Sequence, residues 1–363
     1  MYELIPSEEY LSDLIQLVKK AKKNIYIQAM YVYFDDSLKE FTKEVIAAKK
    51  RGVSVKFNID NYSNQYIQGH KYFIHINKEK RDKCKNNIQI SQKYFKEMTS
   101  ADIEINFINE YRYNKAIAEY FPFIGRNHMK ITIIDNYSYI GGMNFGKKSF
   151  NYYDFMVKTK DREIRNNLKS IFLKNSTGIK YSDKIVNINK ENSLLIDSGK
   201  KGQSIIYNEA INAINNAKED ISYISQFLPD FKILFALQKA VKRGLAVEII
   251  VHSNSIAEKK IRHKIEQILF NLSNINLSNL YEQSEKYIHA KMIILDKNAP
   301  NSSLIIGSHN FSTFGVLFGT SEIALNTKDK DLIHNLSNWY TQIKLNSQSL
   351  IKYTTPSQSI KQG

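Results

Sequence analysis

One cysteine, Cys84, is all that 363 residues contain. That scarcity excludes an internal disulfide framework and a cysteine-built metal site, and it fits a reducing compartment. No uninterrupted apolar run approaches the length that spans a bilayer. The first residues, Met1-Tyr2-Glu3-Leu4-Ile5-Pro6-Ser7-Glu8-Glu9, lack the basic and apolar regions of a secretory leader. The glycines form neither a Walker A nor a dinucleotide-binding motif. His70 and His75 lie close in sequence, but no carboxylate or cysteine joins them at ligand spacing, and His252, His263 and His334 have no ligand constellation either. The expectation is a cytoplasmic chain whose chemistry uses no metal and no cofactor.

Acidic residues are also in short supply: 36 Asp and Glu face 52 Lys and Arg, a formal net charge of +16. An anionic partner follows, either nucleic acid or an acidic lipid surface. A compositional bias toward Lys, Ile and Asn would produce the same excess. Hydrophobic residues at 42% and aromatics at 12% describe a globular chain, long enough for two domains each with its own core.

What the chain does have, it has twice. Arg126-Asn127-His128-Met129-Lys130 leads through Ile131-Thr132-Ile133-Ile134 to Asp135, then to Gly141-Gly142-Met143-Asn144. Ile288-His289-Ala290-Lys291 leads through Met292-Ile293-Ile294-Leu295 to Asp296, then to Gly307-Ser308-His309-Asn310. In a strand alternate side chains share a face, so His128 sides with Lys130 and His289 with Lys291. An imidazole and an ammonium on a common face, supplied twice, suit a phosphate ester. The lysines neutralise non-bridging oxygens while one imidazole attacks phosphorus and the other protonates the leaving oxygen. A lysine opening an apolar strand would be costly to bury unless it met an anion.

The two His-x-Lys-x4-Asp motifs make the chain resemble the phospholipase D superfamily. Gly141-Gly142-Met143-Asn144 and the preceding Arg126-Asn127 look most like its cardiolipin synthase branch. The resemblance implies a covalent phosphohistidine, with His128 as nucleophile and His289 as acid and base, although pseudo-symmetry leaves that assignment reversible. It also implies that an acid after each motif, Asp154 and Glu322, orients a histidine by accepting its other ring proton. An anionic phospholipid at the inner membrane surface is then the expected partner, and DNA or RNA cleavage by a metal-independent nuclease is the alternative. Three departures stand out: a short turn after Asp135, an enlarged loop from Lys297 to Ser303, and the extra His309, which reads as incidental.

Asp135 and Asp296 lie an odd number of residues from their histidines, so parity turns them off the His/Lys face. Each sits at a hairpin turn, where aspartate is favoured, and reads as structural. The hairpins return Asn144 and Asn310, which with Gly142 and Ser308 are expected to support the phosphate.

Periodicity extends the duplication. A helix from Ser7 (a candidate cap) to Lys20, a strand over 24–32, a helix capped by Asp35 or Asp36 and closed by Gly52, and a strand over 53–60 form one half. A helix over 204–217, a strand over 220–226, a helix from Pro229-Asp230 to Gly244 and a strand over 245–251 form the other. Ala48-Lys49-Lys50-Arg51-Gly52 and Ala240-Val241-Lys242-Arg243-Gly244 mark an internal repeat. The expected fold is α/β: two phospholipase D-like halves, each a mixed sheet flanked by helices, related by a pseudo-two-fold with the site between them. Residues 1–191 form the first half, with an insertion at about 62–125 that reads as a solvated helical segment packing aromatics on the sheet. The stretch, which includes the Lys78–Lys85 and Glu110–Lys115 runs, interleaves basic and aromatic residues that would also suit bases or headgroups. Residues 192–346 form the second half, which crosses the same gap with a shorter helix at 256–272. Helices are expected over 161–174 and 328–344, and residues 347–363 as a frayed tail.

Overall fold

The computed structural model describes residues 2–63, 78–109, 124–252, 280–283 and 285–349. The expectations for Glu110–Lys115, for the helix at 256–272, for His70, His75 and His263, and for the tail from 350 onward lie outside the described residues. So do the side chains of 78–87, Cys84 included.

The first half runs β1 (Tyr2–Pro6), α1 (Ser7–Lys20), β2 (Asn24–Ala29), α2 (Lys39–Lys50), β3 (Ser54–Asp60), α3 (Lys78–Ser100) and β4 (Glu104–Ile108). The hairpin β5 (Ile131–Ile134) and β6 (Tyr137–Gly141) follows, then β7 (Phe155–Thr159) and α4 (Arg162–Thr177). The second half runs β8 (Lys184–Asn187), β9 (Asn192–Asp197), α5 (Ile205–Asn216), β10 (Asp220–Ser225), α6 (Phe231–Lys242), β11 (Ala246–His252) and β12 (Leu280–Gln283). It ends with β13 (Met292–Leu295), β14 (Ser303–Gly307), α7 (Thr313–Phe318), β15 (Glu322–Thr327), α8 (Lys330–Leu345) and β16 (Gln348–Ser349).

Both sheets are mixed and share one strand order. The first reads β4-β3-β2-β5-β6-β7-β1, and the second reads β12-β11-β10-β13-β14-β15-β9 with β16 and β8 added at its two edges. In each, two parallel pairs adjoin an antiparallel run. The chain joins the second sheet at Lys184, ahead of the boundary expected at residue 192.

The repeated Arg-Gly explains how each helical layer is locked. Gly52 and Gly244 both take φ +89, a conformation that costs glycine little and other residues more. The arginine before each then reaches back to the helix that opens its half: Arg51 donates to the carbonyl of Val18, and Arg243 to those of Ile214 and Ala217. Ser7 does not cap α1. It is the first helical residue, with no capping bond, and its hydroxyl donates instead to the carbonyl of Tyr152 at 2.5 Å. Asp35 caps the 3-10 turn that leads into α2, accepting from the Ser37 amide at 2.8 Å.

The insertion at 62–125 contributes regular structure to the sheet. Tyr94 and Met98 of α3 are buried in the first-half core, and β4 pairs parallel with β3, as β12 does with β11. Two apolar cores lie on the outer faces of the sheets. A third is built by both halves together, with α4 and α8 contributing Leu168, Phe172, Leu336 and Tyr340 among strands of both sheets. Phe155 of the first sheet packs edge-on against Trp339 of α8. The halves therefore share a core as well as a boundary.

Candidate active site

The His-x-Lys residues precede the regular strands, which begin three residues later at Ile131 and Met292. The cause is a change of partner: before it enters its own sheet, each segment pairs with the opposite half. The His128 amide donates to the carbonyl of Ser321 at 2.8 Å, and Ser321 donates to Arg126 at 2.9 Å. In the mirror arrangement, His289 and Ala290 both donate to the carbonyl of Tyr153, and Tyr153 donates to Tyr287. Each bridge brings the acid that follows one motif beside the histidine of the other.

The pairing is crossed. His128 Nδ1 lies 2.9 and 3.1 Å from the two oxygens of Glu322, and His289 Nδ1 lies 2.7 Å from Asp154 Oδ2. All four side chains are buried. An ionised carboxylate at Nδ1 fixes the tautomer that carries its proton there, which leaves Nε2 as the basic nitrogen. Neither Nε2 hydrogen-bonds to the described protein, and neither is sealed from solvent.

Lys130 and Lys291 are each 1% exposed, and each folds its ammonium back onto the carbonyl of its own histidine. Burial pulls Lys130 well below the usual ammonium range and Lys291 down to about 8. Burial, aided by the lysines, also lowers both histidines, His289 to about 3. Burial pushes Glu322 up, but the His128 ring that donates to it and the Lys130 ammonium outweigh that and hold the carboxyl down at about 2. Two buried ammoniums, two neutral imidazoles with free Nε2 atoms and two supporting acids form a pocket that an anion would complete.

The residues around them have distinct tasks. A Cβ on Gly142 would stand 3.0 and 3.2 Å from the Asp154 oxygens and 3.2 Å from Lys291, so the glycine admits both side chains. Ser308, expected at the phosphate, is committed elsewhere: its hydroxyl donates to Glu322 and accepts from the Ile323 amide at 3.0 Å. Asn144 accepts from the Tyr31 amide at 3.2 Å through its carbonyl, which leaves its NH2 available. Asn310 has a buried carbonyl oxygen without a partner. Asp135 and Asp296 point away from the cleft. Asp135 accepts from the amides of Lys22, Lys23 and Asn24, and Asp296 from those of Lys218 and Glu219, clamping each hairpin turn to the entry of a central strand. Both take positive φ at the turn, 49 and 53°. His309 is buried, lowered to about 4, and accepts from the Phe311 amide.

Sequence reasoning missed one support. Asp60, at the end of β3, binds Arg126 Nη1 at 3.1 Å and the Asn127 amide at 2.7 Å, with both charges buried. Asn127 in turn accepts from the Met129 amide and from Gln28, so the backbone on both sides of His128 is held. The Arg-Asn dipeptide before His128 was the available signal, but nothing local pointed to Asp60. Among the described residues no three His, Cys, Asp or Glu side chains gather as a metal site.

The family model described as cardiolipin synthase, phospholipase D-like domain matches residues 14–175 and 210–344. A cardiolipin synthase of Alkalihalophilus pseudofirmus is 24% identical over 368 residues, covering 92% of this chain and 66% of its own length. One from a Geobacillus species is 24% identical over 318 residues, covering 81% and 57%. The chain thus spans about three-fifths of the length of these curated relatives. The crystal structure of phosphatidylserine synthase from Haemophilus influenzae superposes with TM-score 0.66 at 16% identity, over 96% of this chain and 87% of that one. With two motifs in one cleft and a family match across most of its length, the chain belongs to the phospholipase D-like family, in its cardiolipin synthase group.

Proposed function

We propose that the chain is a phosphatidyltransferase or phospholipase of the phospholipase D type, working on an anionic phospholipid through a phosphohistidine. One observation carries this: two imidazoles, each with Nδ1 fixed by a buried acid and Nε2 open, share a cleft with two buried lysines. The names of the relatives, cardiolipin synthase and phosphatidylserine synthase, support the lipid class.

The lone pair of His128 Nε2 attacks phosphorus as the bond to the departing alkoxide breaks. The negative charge of the bound diester favours a proton on His289 Nε2, taken up from solvent as the substrate enters, and His289 gives that proton to the alkoxide. The neutral His289 then takes a proton from water or an acceptor alcohol, whose oxygen displaces the imidazole and frees the product. Lys130, Lys291 and the asparagine amides face the charge that grows on the non-bridging oxygens. No metal enters either step. The chain works peripherally, at the surface of the membrane that holds its substrate.

The test offers phosphatidylglycerol vesicles and single- and double-stranded DNA in parallel, with EDTA present. Phosphatidylglycerol turnover that EDTA spares, and that His128→Ala and His289→Ala abolish, is the expected result. DNA cleavage with the same dependence and no lipid turnover would move the substrate to nucleic acid.

A further inference from the structure

We infer that the second half docks this protein onto an anionic bilayer through one apolar patch: Phe231 and Phe235 of α6 with Phe314 and Leu317 of α7. The inference rests on the lipid reading above and adds the surface that would present the lipid. These side chains are 44, 53, 42 and 55% exposed, and they are four of the eight large apolar side chains exposed among the described residues. They belong to one place. Asp230, just before Phe231, accepts from the amide of Thr313 at 2.9 Å and from its hydroxyl at 2.8 Å, and Thr313 just precedes Phe314. Spacings of four in α6 and three in α7 put each pair on a single helix face.

The duplication acts as an internal control. Helices α2 and α6 have the same length and end at equivalent glycines, so Phe231 and Phe235 stand where the first half has Lys39 and Lys43. Four residues past the motif asparagines, Phe314 stands where the first half has Lys148. Those three lysines are exposed. The shared backbone accepts lysine at these positions, so the fold does not itself require phenylalanine there. The pseudo-two-fold passes between the His-x-Lys segments, so equivalent positions flank the cleft on opposite sides. One rim is thus apolar and the other cationic, while Lys232 adds an exposed charge beside the apolar rim. Apolar side chains that enter the acyl boundary beside lysines that meet anionic headgroups are the mark of an interfacial surface.

The patch also reaches the site. Helix α7 ends three residues before Ser321, whose carbonyl holds the His128 amide, and the carbonyl of Phe318 accepts from Gly125 at 2.9 Å. A lipid whose chains stay in the bilayer under this rim has its phosphate next to the cleft.

The experiment sediments the full chain with vesicles of phosphatidylcholine, alone or mixed with phosphatidylglycerol. It compares the unaltered chain with Phe235→Ser/Leu317→Ser and, separately, Phe314→Ser. The expected result is salt-sensitive binding to the mixed vesicles that the double variant weakens by at least about tenfold, the loss of a little over one kcal/mol. Melting temperature and turnover of a soluble phosphodiester should stay unchanged, because none of these residues touches the histidines. Equal vesicle binding by the variants would overturn the proposal. So would a wild-type dimer that the variants dissolve while vesicle binding persists, since a second copy would then cover the patch. The catalytically dead His128→Ala should still bind vesicles, which separates failure of the surface from failure of the chemistry.

Discussion

The first half braces its histidine with charge, the second with rings. Beside His128 lies the buried Arg126–Asp60 pair. The equivalent positions in the second half, the end of β11 and two residues before the motif histidine, hold His252 and Tyr287, whose rings lie 4.2 Å apart. Tyr287 and Tyr152 also flank the ring of His289, at 6.5 and 5.9 Å. Duplication preserved the backbone and the His-Lys chemistry, while the surroundings of the two imidazoles diverged. A ground state that treats two chemically identical rings differently is what an acid–nucleophile division requires.

The sharpest way to break that comparison is to remove each ring in turn. His128→Ala and His289→Ala should each lower diester turnover by about 10⁴-fold or more. Only the nucleophile's loss should also abolish the label trapped on protein when turnover of a lipid radiolabelled at phosphorus is quenched in alkaline denaturant, where the histidine–phosphorus bond survives. Label surviving in His128→Ala and absent in His289→Ala would reverse the roles. Next in size is the charged brace. Arg126→Met leaves Asp60 buried without its partner and should cost about 3–5 kcal/mol, read in denaturant melts. Tyr287→Leu, which strands no charge, should cost visibly less, and equal losses would erase the contrast.

The crossed acids come third. Glu322→Gln and Asp154→Asn should each lower kcat about 10–100-fold with little change in melting temperature, as expected for groups that orient a ring. Ser308→Ala should reproduce a fraction of the Glu322→Gln effect and leave Asp154→Asn additive to it. The smallest effect is a shift of pH profile. Lys291, lowered to about 8, loses its proton as pH rises through that value, and kcat/KM should fall on that side. Stability moves the other way. Between pH 8 and the ordinary lysine range only the unfolded chain holds this proton, so stability rises with pH there and is lost on acidification. Melting temperatures of wild type and Lys291→Met compared from pH 7 to 10 should converge as pH rises.

The motifs were legible because they are local and stated twice: a His-x-Lys and its hairpin need only neighbours in sequence. Strand parity likewise told Asp135 and Asp296 from the face their histidines share. Four features could not be read this way. The crossing of Glu322 to His128, 194 residues apart, has the same spacing signature as pairing within one half. Asp60 is an unremarked residue at a strand end until Arg126 arrives from beyond the insertion. Strand β4 was hidden because it follows a long polar helix, and its burial is only partial. Ser308 was misplaced because spacing gives proximity to a site, while a hydroxyl's partner depends on which neighbour reaches it first.

The exchanged carboxylates make each imidazole hostage to the other half's position. A small rotation of one sheet against the other would detach Glu322 and Asp154 together and release both tautomers at once. The central core between the sheets is therefore the rigid frame of the reaction. Softening it by trimming Phe172 or Leu336 should quiet both chemical steps while every reacting atom remains in the sequence.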